Sequence, residues 1–204
     1  FVQLPDIDMI SEEKPFIVGA EMIYSTNSKI ITLPLSYHFI TESKTIYAVK
    51  VMIPYVMRKI SFKFDPSQEF SGSGIGDITI GADMYTKLGE MPFFVQFLVK
   101  TPSGKVDNES KENELTFIPL GTGTWDFALS AGLTKYIDNI TLKGKIGYRM
   151  NGTYENTHAG TLQQEFKFGN MMHATMGIGM PLSDSFYFQT ALSYINNGTI
   201  ELTN

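Results

Sequence analysis

Cysteine is absent from the 204 residues, so disulfides and thiolate metal sites are excluded. Charge is sparse. Asp, Glu, Lys and Arg make up 18% of the chain, below the roughly 25% of an ordinary soluble domain. No apolar run approaches the roughly 18 to 20 residues of a membrane helix. The formal charge of −5 gives no reason to expect nucleic acid as a partner. His38, His158 and His173 have no histidine two or four residues away, so neither a metal site nor a cofactor is expected. No signal-like segment opens the chain, because Asp6, Asp8, Glu12 and Glu13 interrupt it. Residues 1–15 read as an N-terminal arm on a mature or trimmed chain.

What the chain has is glycine, aromatics and alternation. It holds 18 Gly, 15 Phe and 10 Tyr. From Asp77, Ile78, Ile80, Ala82 and Met84 share one face of a strand, and Asp77, Thr79, Gly81, Asp83 and Tyr85 share the other. Lys87 to Met91 reads as a tight turn, and Phe93, Val95, Phe97 and Val99 then alternate with Phe94, Gln96, Leu98 and Lys100. Period-two alternation is the signature of strands with unlike faces. Similar segments are expected at Phe16–Ser25, Ile30–Ile40, Thr45–Lys59, Thr124–Ile137, Ile140–Met150, Thr161–Pro181 and Phe186–Ile195. The long eighth segment is expected to be bulged, because its apolar phase slips near Asn170. Asn197-Gly198 is a type I′ hairpin signal, so a tenth strand is expected to begin in Thr199–Thr203. Pro34 and Pro54 each remove a ladder donor and predict bulges or local breaks.

Two solvents fit such faces. Oil outside and water inside makes a transmembrane barrel; core inside and water outside makes a soluble sandwich or a lipocalin-like binder. Loop lengths favour the first. Connections near Gly89, Asp138 and Ser183 are short, whereas those at 61–73, 103–114 and 151–160 are long and polar. Outer-membrane barrels segregate short periplasmic turns from longer outside loops. The polar faces carry Glu21, Lys50, Arg58, Asp77, Asp83, Lys100, Asp126, Lys143, Lys145, Arg149, Glu165 and Lys167, which are expected to line the lumen. Facing opposite charges on neighbouring strands contribute roughly 0.2 to 1 kcal/mol. The apolar faces are nearly free of charge, as a lipid-facing surface requires. Trp125, Tyr24, Tyr55, Tyr85, Tyr136 and Tyr148 lie near strand ends and read as interfacial girdles.

Gly72, Gly74 and Gly76 open a strand with no Lys-Ser or Lys-Thr after them, so they read as rim kinks, not as a phosphate loop. His173, Thr175 and Ser193 lack the local motifs of outer-membrane lipid hydrolases, and no enzyme is expected. The Met171, Met172, Met176 and Met180 cluster reads as a packed or lipid-facing strand.

Gly74-Ile-Gly-Asp-Ile-Thr-Ile-Gly-Ala, Val99-Lys-Thr-Pro-Ser-Gly-Lys, Leu120-Gly-Thr-Gly-Thr-Trp-Asp and Leu133-Thr-Lys-Tyr follow one another in order. This order resembles the outer-membrane transporter family named after the meta-pathway of phenol degradation. The resemblance covers Ile17 to Tyr194 in pattern, with the specific motifs between Gly74 and Gly147. It implies a porin-like barrel of the bacterial outer membrane and supplies no substrate. Such barrels usually end on a strand with a terminal aromatic, whereas this chain ends at Asn204. A missing last strand or strands is therefore expected.

The expected fold is an all-β, antiparallel, up-and-down transmembrane β-barrel of about 10–12 strands, with one barrel domain over residues 16–204. The expected function is passive passage of small or hydrophobic solutes. The alternative is a closed structural barrel that anchors a partner or filament through its long loops or its N-terminal arm. The expected partners are outer-membrane lipid and a small solute.

Overall fold

The computed structural model describes residues 16–25, 27–62, 65–106, 118–156, 164–167, 169–183, 186–199 and 201–203. These contain strands and turns, with no helix among the described residues. The strands are β1 (Phe16–Val18), β2 (Glu21–Ser25), β3 (Ser28–Ile40), β4 (Ile46–Phe62), β5 (Asp65–Ile75), β6 (Thr79–Leu88) and β7 (Met91–Lys100). They continue as β8 (Asp126–Ile137), β9 (Ile140–Met150), β10 (Thr153–Asn156), β11 (Gln164–Lys167), β12 (Met171–Ser183), β13 (Phe186–Asn197) and β14 (Glu201–Thr203). All pairings are antiparallel. The main sheet has 11 strands in the order β1-β3-β4-β6-β7-β8-β9-β12-β13, with β2 also on β3 and β5 also on β4.

Both prolines break the strand opposite them and leave their own strand whole. Opposite Pro34, β1 and β2 part at Gly19-Ala20, and the Gly19 N–H donates to Pro34 O at 3.1 Å. Opposite Pro54, β5 and β6 part at Gly76–Ile78, and the Gly76 N–H donates to Pro54 O at 2.9 Å. A proline carbonyl still accepts, but its nitrogen donates nothing, so the neighbour has nothing to bond on that side.

The sheet is inverted relative to a soluble sandwich. Along β6, Gly81, Asp83 and Tyr85 are buried, whereas Ile80 is 50% exposed and Ala82 is exposed beside it. Along β4, Ala48, Lys50 and Val56 are buried while Tyr47, Val49 and Tyr55 are exposed. The exposed face carries Ile31, Leu33, Phe39, Phe97, Phe127, Leu129, Ile146 and Tyr148 as well. Water would not tolerate so continuous an apolar face on a monomer. Lipid requires it.

The short end of the sheet carries tight turns, with Gly89 and Asp138 at positive φ. The opposite end is more ordered than its composition suggests. The 61–73 stretch was expected to be a polar loop; instead most of it is β5, paired with β4 from Tyr55↔Ile75 to Ser61↔Glu69. The 151–160 stretch was expected to be a loop, yet Thr153–Asn156 is strand β10. The long eighth strand is interrupted near Asn170, where β11 and β12 part around Gly169-Asn170, and its ladder with β13 shifts register between Pro181 and Ser183. The expected tenth strand exists as β14, but it pairs with β11 in a separate 3-stranded sheet, β10-β11-β14. This small sheet prolongs β9, β12 and β13 past a bend where Gly198 lies against Gly169. The 1–15 arm, residues 107–117 of the second long loop, residues 157–163 of the third (with His158) and residues 184–185 of the last turn lie outside the described residues.

Candidate functional site

The inward face holds two charged clusters. The first lies mid-wall. Lys50 on β4 faces Gly81 on β6 across the ladder, and its ammonium reaches Asp83 Oδ2 at 2.7 Å. The Tyr85 hydroxyl donates to the same oxygen at 3.1 Å. Gly81 makes room, because a Cβ there would stand 2.9 Å from Lys50 Cε. Both charged side chains are nearly closed off, at 8% and 4% exposure. His38 flanks them from β3, with Nε2 2.8 Å from Ser36 Oγ. Asp83 Oδ1 and His38 Nδ1 are buried without a partner among the described residues. Beside this cluster Ile46, Ala48, Tyr85 and Phe94 form an apolar core.

The second cluster sits at the long-loop end and is built from three of the quoted motifs. Asp77 closes the Gly-x-Gly-Asp segment. Its Oδ1 accepts the Gly104 N–H at 2.9 Å, and its Oδ2 accepts the Thr122 N–H at 2.7 Å and the Thr122 hydroxyl at 2.9 Å. Gly121 lies so close to this carboxylate that a Cβ would overlap Asp77 Oδ1. Lys100 at the end of β7 bridges Asp77 at 3.3 Å and Asp126 at 2.7 Å. Arg149 on β9 also pairs with Asp126, whose Oδ1 accepts the Thr124 hydroxyl at 2.8 Å and the Gly152 N–H at 3.1 Å. Charge-assisted bonds of this kind are roughly twice as strong as neutral ones.

This knot folds the 118–124 segment against the inner wall. Ile118 is 0% exposed, and Leu120 is buried against the glycines of β5 and its continuation. A Cβ at Gly74 would lie 2.8 Å from Leu120 Cδ1. Arg58 on β4 donates to Pro119 O at 2.6 Å, and the Leu120 N–H donates to Lys105 O at 2.7 Å. The motifs are therefore the parts of one inward-folded segment and the knot that holds it.

Of the residues expected to line the lumen, Lys50, Asp83, Asp77, Lys100, Asp126, Arg58 and Arg149 meet in these two clusters. Glu21 sits opposite Thr32 on β2 and is engaged in its own contact. Lys145 lies on the inward face over the Phe94 ring, and Lys143 is exposed nearer the turn end. Glu165 and Lys167 leave the wall, because β11 belongs to the small sheet. The girdle expected of Tyr85 is also corrected. It is 4% exposed and points inward, whereas Tyr24, Tyr55, Trp125, Tyr136 and Tyr148 are exposed. Tyr85 shares a face with Asp83, and that parity was readable in the sequence. Thr124 and Gln96, both buried on the inward side, were missed as wall residues because neutral polar side chains gave no charge signal.

The fold is shared with a known barrel. A crystal structure of an outer membrane channel from Pseudomonas putida F1 superposes with a TM-score of 0.70 at 12% identity. The match covers 92% of this chain and 72% of that one. No curated protein matches the sequence. The chain thus carries the fold of an outer-membrane channel, with its apolar face outward. Residues 16–197 match the family model described as "Putative MetA-pathway of phenol degradation", and on that match, which spans the whole described wall, the chain belongs to this family.

Proposed function

We propose that the protein is a porin-like channel wall of the bacterial outer membrane, through which small solutes pass passively and without chemical conversion. The observation that carries this reading is the inversion of the sheet. Charged and polar groups face inward, and the outward face is apolar along the wall strands. A folded chain with that arrangement excludes water from its outside and admits it inside. The neighbouring channel of the same fold supports the reading. Its test is reconstitution of the purified protein into planar bilayers, after heat-modifiable gel migration has established a folded barrel. Discrete conductance steps that change when Lys100 or Asp126 is neutralised are expected. Steps indifferent to both changes would remove the inner wall from the path.

One observation favours a second reading, a closed barrel that serves as an anchor for a partner. The 118–124 segment occupies the inner face at the long-loop end and is tied down by Asp77. A barrel that inserts and stays silent, and remains silent when Asp77 is changed, would support that reading.

A further inference from the structure

We propose that the inner wall around Lys145 is a subsite for an organic anion, a carboxylate carried on an apolar body, and that it biases passage toward such solutes. This rests on the channel reading and names its solute class.

Five inward residues stand in one row across five strands. Phe94 on β7 pairs with Gly132 on β8, Gly132 with Lys145 on β9, Lys145 with Thr175 on β12, and Thr175 with Ser193 on β13. Gly132 has no side chain to separate its neighbours, and a Cβ there would overlap the Phe94 ring. The ring therefore reaches toward Lys145, whose ammonium lies 5.9 Å from its centroid. On the far side Thr175 Oγ1 and Ser193 Oγ are 3.1 Å apart. One of these hydroxyls donates to the other, which leaves one hydroxyl proton to donate outward.

The charge balance of the wall decides the sign of the ligand. Asp83 is matched by Lys50, and Asp77 and Asp126 are matched by Lys100 and Arg149. Lys145 and Lys143 pair with no carboxylate among the described residues. The uncompensated charge of this row is thus positive. A carboxylate would accept from the Lys145 ammonium and from the free hydroxyl proton, as charge-assisted bonds favour. Phe94 and the adjoining core are themselves buried, so the solute's apolar body would reach the Phe94 ring by displacing the Lys145 ammonium from over it toward the carboxylate. A solute with an anionic head and an apolar body matches both halves of the row.

The test uses the full chain folded in detergent, titrated calorimetrically with benzoate and with its neutral isostere benzamide. Benzoate is expected to saturate the wild-type barrel at least about tenfold more tightly. K145M is expected to abolish the difference, K145R to retain it, and K143M to reduce it less. Equal binding of the two probes by the wild type overturns the subsite without recourse to any variant, and so does K145M binding like the wild type. Reversal potentials across a KCl gradient read the bias on passage: chloride preference in the wild type, diminished in K145M. A barrel that binds benzoate selectively but never conducts refutes the passage reading alone. A barrel that conducts but does not distinguish benzoate from benzamide refutes the subsite alone.

Discussion

Lys50 Nζ stands 2.7 Å from Asp83 Oδ2 on the inward face, with both side chains almost closed to solvent. Removing one partner leaves the other charge buried and unmatched, which costs about 3–5 kcal/mol. K50M is therefore expected to lower the barrel's unfolding free energy by that order, read as the urea midpoint in detergent or lipid. K50M combined with D83L removes both charges and should recover most of the loss. A single variant as stable as the wild type would mean that water, not Lys50, solvates Asp83.

Asp77 holds the 101–106 and 118–124 segments inward through Gly104 and Thr122. D77N keeps the shape and removes the charge. A hydrogen bond to a charged group is worth about 1.5–3 kcal/mol, so the opened population of these segments should rise by about tenfold to a hundredfold. Trypsin cleavage after Lys105 should accelerate accordingly, and single-channel conductance should rise. Unchanged cleavage would mean that Lys100 and Asp126 hold the segments without Asp77.

Most of the wall is legible in the sequence, because a strand with oil on one side and polar groups on the other writes its parity in every second residue. The β6 and β7 hairpin, the Asp138 turn and the pairing of Lys100 beside Asp126 follow from that parity. The long-loop end does not. Asp65–Ile75 is rich in Ser and Gly, so its alternation carries no hydrophobic contrast, although Gly72 and Gly74 face the wall interior opposite Arg58 and Val56. The inward-folded segment is hidden for a related reason. It depends on the 118–124 segment turning inward, a tertiary event signalled only by small residues at Gly74, Gly76, Gly104 and Gly121. The departure of Glu165 and Lys167 from the wall follows from the bend at Gly169 and Gly198, where the main sheet ends and the small sheet begins.

Gly132 should be intolerant of side chains. An added Cβ would overlap Phe94 and stand 2.7 Å from Gly144 O. Overpacking of this kind costs about 1–3 kcal/mol. G132V is expected to lose stability by that amount in urea unfolding. F94A in the same chain should restore only part of it, because the Gly144 carbonyl cannot move away as a side chain can. Full restoration by F94A would place the whole conflict in the ring.

Ile80 offers the sharpest separation of the two solvents. It is 50% exposed on the outward face, one residue from the inward Gly81. On a soluble sheet an exposed Ile→Arg change away from special features stays within about 0.5 kcal/mol of neutral. On a wall that faces lipid, an arginine near the midplane costs about 2–4 kcal/mol. I80R should therefore fold poorly into lipid vesicles and unfold at lower urea, with V49R on the adjacent strand behaving alike. The cost should shrink for residues nearer the turn end, such as Leu88, where the water interface is close. A flat, near-zero cost at Ile80, Val49 and Leu88 would mean that this face meets water, and the inverted sheet would then need a protein partner, not a membrane, to cover it.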